Sequence, residues 1–84
     1  MMWRVNVAGP AQKALSRLPE ADRDRLVAAI DAIAINPYTG DIRKLGGDTY
    51  RRRVGSYRIF FDIVTALRAV HVTAITRRTS TTYR

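Results

Sequence analysis

The chain has 84 residues and a formal net charge of +8, and it contains no cysteine. This length predicts one compact domain over residues 1–84, and the lack of thiols excludes disulfides and a cysteine zinc site. No apolar stretch approaches the roughly 18 residues of a membrane span, and the start shows no signal-peptide pattern. The expected location is therefore the cytoplasm.

The positive charge is concentrated in the second half of the chain. Residues 1–42 carry five basic and five acidic side chains, whereas residues 43–84 carry ten basic and two acidic ones. Thirteen of the fifteen cations are arginine, which holds phosphate in a bidentate fork and keeps its charge at physiological pH. The asymmetry predicts a polyanionic partner, either nucleic acid or an acidic protein. A basic surface without a specific partner is the alternative.

The first half of the chain predicts a strand followed by two helices. Residues 2–7 alternate between apolar and polar side chains, as in a strand. A Gly-Pro pair ends that strand, and apolar spacing of i, i+3, i+4 and i+7 from Ala11 predicts a short amphipathic helix. A second helix is predicted between Pro19 and Pro37, with acidic residues in its first turn that complement the helix dipole.

The second half predicts a β-meander. Residues 38–48 contain three glycines and predict a loop. Residues 50–54 and 57–63 predict two strands, joined by a Gly-Ser pair that is typical of a type II′ hairpin turn. Residues 69–76 are rich in β-branched side chains and predict the last strand. The fold class is α+β, with the order β-α-α-β-β-β and a helical hairpin packed on one face of an antiparallel sheet.

The Gly-Ser turn determines which side chains of the hairpin share a face. Arg53 is expected opposite Arg58, and Arg51 opposite Phe60, so alternation puts these four on one side. The other side is mostly apolar and carries Tyr50, Arg52, Val54, Tyr57, Ile59 and Phe61. Opposed like charges destabilise a sheet by a few tenths to about 1 kcal/mol, a cost that a bound phosphate offsets.

Two interpretations of this arginine-rich side stay open. As a nucleic-acid surface it would hold phosphates, with Phe60 as a stacking surface for a base. As a solvated outer face its arginines would lie in water or pair with Asp48 and Asp62.

The tail after the last strand adds Arg77, Arg78, Tyr83 and Arg84. Guanidinium groups favour the phenolate, so Tyr83 could accept a proton from a ribose 2′-OH; a packing anchor for the tail is the alternative. His71 is the only histidine, which excludes a histidine-pair ribonuclease, and it is expected to be structural. Because it alternates with Val70 and Val72, it can also lie on the arginine-rich side, where a supporting role stays open. No metal cluster, Ser-His-Asp set or phosphate-binding glycine loop is recognisable, so no metal or cofactor is predicted.

Five segments across nearly the whole chain follow a known pattern. They are AQKALSRLP at 11–19, the Asn-Pro pair at 36–37, RKLGG at 43–47, YRRRVGSYRIFF at 50–61 and ITRRTSTTY at 75–83. Here the chain resembles the RelE/ParE toxin superfamily. The most specific part is Tyr-Arg-x-Arg-Val-Gly-x-Tyr-Arg at 50–58.

The RelE branch of that superfamily implies a metal-independent, ribosome-dependent endoribonuclease, an mRNA interferase. The 2′-OH attacks the adjacent phosphate and leaves a 2′,3′-cyclic phosphate. By position, Arg51 and Arg53 match the strand cations that contact the RNA backbone. Arg58 matches the arginine that stabilises the pentacoordinate phosphate.

The resemblance also implies roles for the tail. Arg77 or Arg78 matches the C-terminal arginine near the leaving group, and Tyr83 matches the tyrosine proposed as general base. Two departures stand out. Arg52 occupies a position that is usually aliphatic, so either its stem snorkels past the helices or the strand pairing differs. Thr76 stands where many relatives have histidine before the arginine.

Two other functions are compatible with the same residues. A ParE-like toxin would inhibit DNA gyrase by binding it and would have no active site of its own. An inactive basic module would bind RNA with steep salt dependence. Under either toxin hypothesis the implied partner is a cognate antitoxin, acidic and partly disordered when free, that folds on binding; for the nuclease the second partner is mRNA on the ribosome.

Overall fold

A computed structural model describes residues 2–77 and confirms the α+β class, with two helices on one face of a sheet. The elements in chain order are β1 (Arg4–Val7), α1 (Gly9–Ser16), α2 (Glu20–Ile35), β2 (Ile42–Gly46), β3 (Thr49–Val54), β4 (Tyr57–Val64) and β5 (Ala69–Arg77), with a 3-10 turn at Thr65–Leu67. The predicted elements therefore all form, and one strand is added to them.

The helices begin and end where the sequence punctuates them. Pro10 lies in the first turn of α1, where its missing N–H costs no helical hydrogen bond. In α2, Glu20 and Asp22 lie in the first turn and complement the positive end of the helix dipole. After α2, Asn36 Oδ1 accepts a hydrogen bond of 3.0 Å from the Tyr38 backbone N–H, which turns the chain towards the sheet.

The sheet has the strand order β1-β5-β4-β3-β2. The four later strands pair antiparallel in sequence order, whereas β1 lies parallel to β5. The additional strand is β2, inside the segment 38–48 for which a loop was predicted; that prediction is wrong for residues 42–46. All of β2 except half-buried Ile42 is exposed, so no apolar alternation marks it in the sequence.

The core lies between the helices and one side of the sheet. Its fully buried large side chains are Leu26 and Ile33 of α2, Ile59 and Phe61 of β4, and Val70 and Val72 of β5. Along β4 the residues alternate strictly between buried and half-buried, so the helices cover only one side. No helix within residues 2–77 is long and apolar enough to cross a membrane.

Candidate anion-binding face

The β3–β4 hairpin has the register that the sequence predicts. Arg53 pairs with Arg58, Arg52 with Ile59, and Arg51 with Phe60. At the turn, Gly55 has a φ of +58°, a conformation that glycine adopts without steric cost. A positive φ at the first central residue but not at the second fits the predicted type II′ turn.

We use the name basic face for the side of the sheet away from the helices, with its side chains Arg43, Arg51, Arg53, Arg58 and Phe60. The last four were predicted to share a side, and the register together with the burial of β4 places them there. Arg43 was not predicted. It lies directly opposite Arg51 in the β2–β3 pairing, and directly opposed side chains share a face. Its place on the basic face follows only from the pairing of β2 with β3.

Arg51 and Arg58 are half-buried, and their Nε atoms have unusual surroundings. Each Nε is fully removed from solvent and has no hydrogen-bond acceptor among the described residues. A buried donor without an acceptor costs about 1–3 kcal/mol. The described residues therefore leave part of the hydrogen-bonding capacity of these two guanidinium groups unused.

Arg53 has a partner, and it is neither of the two acids considered from the sequence. Its Nε donates to Asp41 Oδ2 over 3.1 Å, and the side chains are 40% and 57% exposed. The Arg53 backbone N–H also donates to the Asp41 carbonyl oxygen over 2.9 Å. An exposed ion pair contributes only about 0–1 kcal/mol, so Asp41 orients Arg53 without neutralising it for other anions.

Arg52 lies on the helix-facing side of β3, and the strand pairing around it is regular. Its Nη1 donates to the Thr39 carbonyl oxygen over 3.2 Å. Its guanidinium lies against Gly40, where an added Cβ would come within 2.6 Å of Arg52 Cζ. Of the two explanations for this residue, snorkelling of the stem is therefore the one the structure shows.

The structure does not bring Arg77 to the basic face. Arg77 pairs with Tyr57 across the sheet, and its guanidinium carbon lies 6.0 Å from the centroid of the Tyr57 ring. Tyr57 is buried on the helix-facing side, opposite to Arg58. The other tail residues singled out from the sequence, Arg78, Tyr83 and Arg84, lie outside the described residues.

Tyr57 is not a candidate for the proton acceptor. Its hydroxyl donates to Asp22 Oδ2 over 2.8 Å. This hydrogen bond raises the pKa of Tyr57 above 10.0, and burial and the negative charge of Asp22 raise it further. The positive charges of Arg77 and Arg25 lower it by less. The phenol therefore remains protonated at neutral pH.

His71 is exposed on β5 and lies across from Asp62 of β4. It shares the side of the sheet that the helices leave uncovered, as its alternation relative to Val70 and Val72 predicts. No pocket is found among residues 2–77.

A family model describing the ParE toxin of the type II toxin–antitoxin system parDE matches residues 5–80. A comparison with curated protein sequences found no match.

Several solved structures share the fold. The archaeal RelE–RelB complex from Pyrococcus horikoshii superposes with a TM-score of 0.87 at 27% identity, covering 96% of this chain and 100% of that one. The isolated Escherichia coli RelE toxin has a TM-score of 0.82 at 16% identity, covering 94% and 87%. A toxin–antitoxin complex from Mycobacterium tuberculosis has a TM-score of 0.76 at 21% identity, covering 93% and 100%. The family match over most of the chain and the shared fold show that this protein belongs to the RelE/ParE superfamily and is a toxin of a type II toxin–antitoxin system.

Proposed function

We propose that this toxin is a ribosome-dependent endoribonuclease that cleaves mRNA. The observation that carries the proposal is the basic face, on which Arg51, Arg53 and Arg58 converge beside Phe60. Two of these arginines have a buried Nε without an acceptor among residues 2–77. A toxin that only bound gyrase would have no chemical need for guanidinium groups held in this way.

In the proposed reaction the ribose 2′-OH loses its proton and attacks the adjacent phosphorus. The bond from phosphorus to the 5′-oxygen breaks, which gives a 2′,3′-cyclic phosphate and a 5′-OH end. Arg58 stabilises the charge that develops on the phosphoryl oxygens, because a fixed donor needs little reorganisation in the transition state. Arg51 and Arg53 hold the RNA backbone, and a base stacks on Phe60.

The C-terminal tail supplies the remaining two groups of the proposed mechanism, which we assign from the sequence. Tyr83 is the proposed general base, and a tail arginine protonates or stabilises the leaving oxygen. Of the two candidates we assign Arg78 to this role, since Arg77 lies over the Tyr57 ring on the opposite side of the sheet.

The cleavage assay uses purified toxin and ribosomes programmed with a defined mRNA. Arg58→Ala and Tyr83→Phe are each expected to lower the cleavage rate by about 10² or more, the scale of losing one transition-state donor or a general base. Arg17→Ala is the matched control, because Arg17 is exposed at the end of α1. Unchanged cleavage in both site variants would remove the mechanism.

Gyrase inhibition is the second candidate, and the ParE family match favours it. A supercoiling assay with purified gyrase separates the two functions. If the toxin inhibits supercoiling and leaves mRNA intact on translating ribosomes, it is a gyrase inhibitor and not a nuclease. Binding of RNA with neither cleavage nor gyrase inhibition would indicate an inactive RNA-binding module.

We also propose a cognate antitoxin as the partner. The Pyrococcus and Mycobacterium relatives were both solved as toxin–antitoxin complexes. For this chain the concentration of arginine on one uncovered side favours an acidic segment that covers the basic face. The test is to co-express the toxin with the product of each adjacent gene, choosing a small acidic protein if one is encoded there, and then to let that protein compete with RNA for the toxin.

A further inference from the structure

A row of polar side chains crosses the sheet on the same side as the basic face, next to its arginines and Phe60. Thr49 pairs with Asp62, Asp62 with His71, and His71 with Asn6, so the four lie in register across β3, β4, β5 and β1. We name these four residues the polar row. We propose that its central residue, Asp62, selects the base of the bound RNA by accepting a hydrogen bond from an exocyclic amino group. This inference rests on the proposed function only in taking RNA as the ligand.

The polar row lies where the edge of a stacked base would reach. Asp62 follows Phe60 by two positions on β4 and shares its side of the sheet, a separation of roughly 6.5–7 Å along the strand. Phe60 is flanked by Arg51 on one side and by the small side chain of Ala74 on the other. Along β4 the same-side neighbours of Phe60 are Arg58 and Asp62. A base that stacks on the Phe60 ring with its edge turned away from Arg58 therefore meets the polar row.

The strand pairing is irregular at this point. The β4–β5 register shifts between Phe60 and Phe61, and Thr73 Oγ1 donates to the Phe60 carbonyl oxygen over 3.2 Å. A β-bulge re-aims the side chains around it, and such bulges are over-represented next to active sites. The bulge thus supports a role for Phe60 and its neighbours beyond sheet formation.

The negative charge of Asp62 is unusual for its place among the arginines and points to a specific contact with the ligand. Asp62 is the only acidic residue in the five strands of the described chain, and it lies on the side that carries the arginines. It makes no ion pair with any residue between 2 and 77. A carboxylate there repels RNA phosphates and weakens binding to every sequence, unless it accepts a hydrogen bond from the RNA itself.

The geometry prepares Asp62 for that contact. Its Oδ1 accepts a hydrogen bond of 2.7 Å from Thr49 Oγ1, which fixes the orientation of the half-buried carboxylate. Its Oδ2 has no such partner among the described side chains. An ionised carboxylate only accepts hydrogen bonds, so it attracts an amino group and repels a carbonyl oxygen.

The affinities for cytosine and uracil test this contact, because the two pyrimidines differ mainly in one exocyclic group. The two bases stack similarly, but cytosine carries an amino group where uracil carries a carbonyl oxygen. We expect the toxin to bind oligocytidine about tenfold more tightly than oligouridine, the scale of one well-placed base contact.

The test is equilibrium binding of fluorescent 2′-O-methyl oligocytidine and oligouridine, which lack the attacking hydroxyl. Asp62→Asn should bring the cytidine-to-uridine affinity ratio from about ten to near one, because an amide can donate to uracil as well as accept from cytosine. Asp48→Asn removes the same charge from the exposed turn between β2 and β3. It should raise both affinities and leave the ratio unchanged.

A second variant separates orientation from charge. Thr49→Val keeps the carboxylate but removes the hydrogen bond that fixes it, so it should lower the ratio without raising the overall affinity. The inference would be overturned if the cytidine-to-uridine affinity ratio were the same in the wild type, Asp62→Asn and Asp48→Asn. It would also be overturned if the wild type bound the two oligonucleotides equally, or bound neither at low salt. If the ratio behaves as expected while mRNA stays intact on ribosomes, base selection stands and the nuclease proposal fails.

Discussion

Replacing Arg58 by methionine is expected to stabilise this toxin while lowering the proposed RNA cleavage by about 10² or more. Arg58 lies directly opposite Arg53 across the hairpin, and such like-charge pairs cost a few tenths to about 1 kcal/mol. Its buried Nε has no acceptor within the described chain, and for a half-buried side chain this costs about 1 kcal/mol, the low end of the usual range. Methionine keeps an unbranched, flexible stem for packing.

Together these effects predict that Arg58→Met raises the free energy of unfolding by about 1–2 kcal/mol. For a domain of this size each kcal/mol corresponds to a change of about 4–8 °C in Tm. Urea and thermal unfolding followed by circular dichroism measure both quantities. The control is Arg17→Met on the exposed end of α1, which should stay within about 0.5 kcal/mol of the wild type.

A double-mutant cycle isolates the charge repulsion. Arg53→Met removes the same opposed charge but also breaks the ion pair with Asp41, so the coupling between positions 53 and 58 is the informative quantity. Inorganic phosphate should stabilise the wild type more than Arg58→Met, because it binds where the charges converge. A destabilised Arg58→Met, or strictly additive effects of the two changes, would refute the idea that this face is strained.

Two further predictions concern the hairpin and its contact with α2. The hydrogen bond to Asp22 raises the pKa of Tyr57 in the folded protein. The protonated phenol therefore stabilises the fold at pH values below about 10, the pKa in the unfolded chain, and this stabilisation is lost as the pH rises through the higher pKa of the folded state. Tyr57→Phe should therefore flatten the alkaline decline in urea-unfolding free energy; an unchanged decline would contradict this. Gly55→Ala should cost about 1–2 kcal/mol because of the φ of +58°, whereas Gly9→Ala, where an added Cβ meets no atom, should cost far less in the same denaturation assay.

Much of the basic face could be predicted because its arrangement is local. A Gly-Ser pair specifies a two-residue turn, the turn sets which residues oppose one another, and the two-residue period of a strand sets their sides. The pairs Arg53–Arg58 and Arg51–Phe60 follow from these rules and are confirmed. The same holds for the helices, each of which starts beside a proline and ends two or three residues before the next one.

The remaining features depend on contacts between distant parts of the chain, and only the tertiary structure decided them. The edge strand β2 has no apolar alternation of its own, so it exists only through pairing with β3, and with it come Arg43 on the basic face and Asp41 beside Arg53. Arg77 lies opposite to that face because the bulge in β5 shifts its register and Tyr57 offers a ring to its guanidinium. The sequence by itself determined a cationic hairpin, because turn chemistry and alternation act within a few residues. That Asp41 contacts it and that Arg77 does not was decided by packing, because strand pairing and cation–π contacts join residues that the chain order keeps apart.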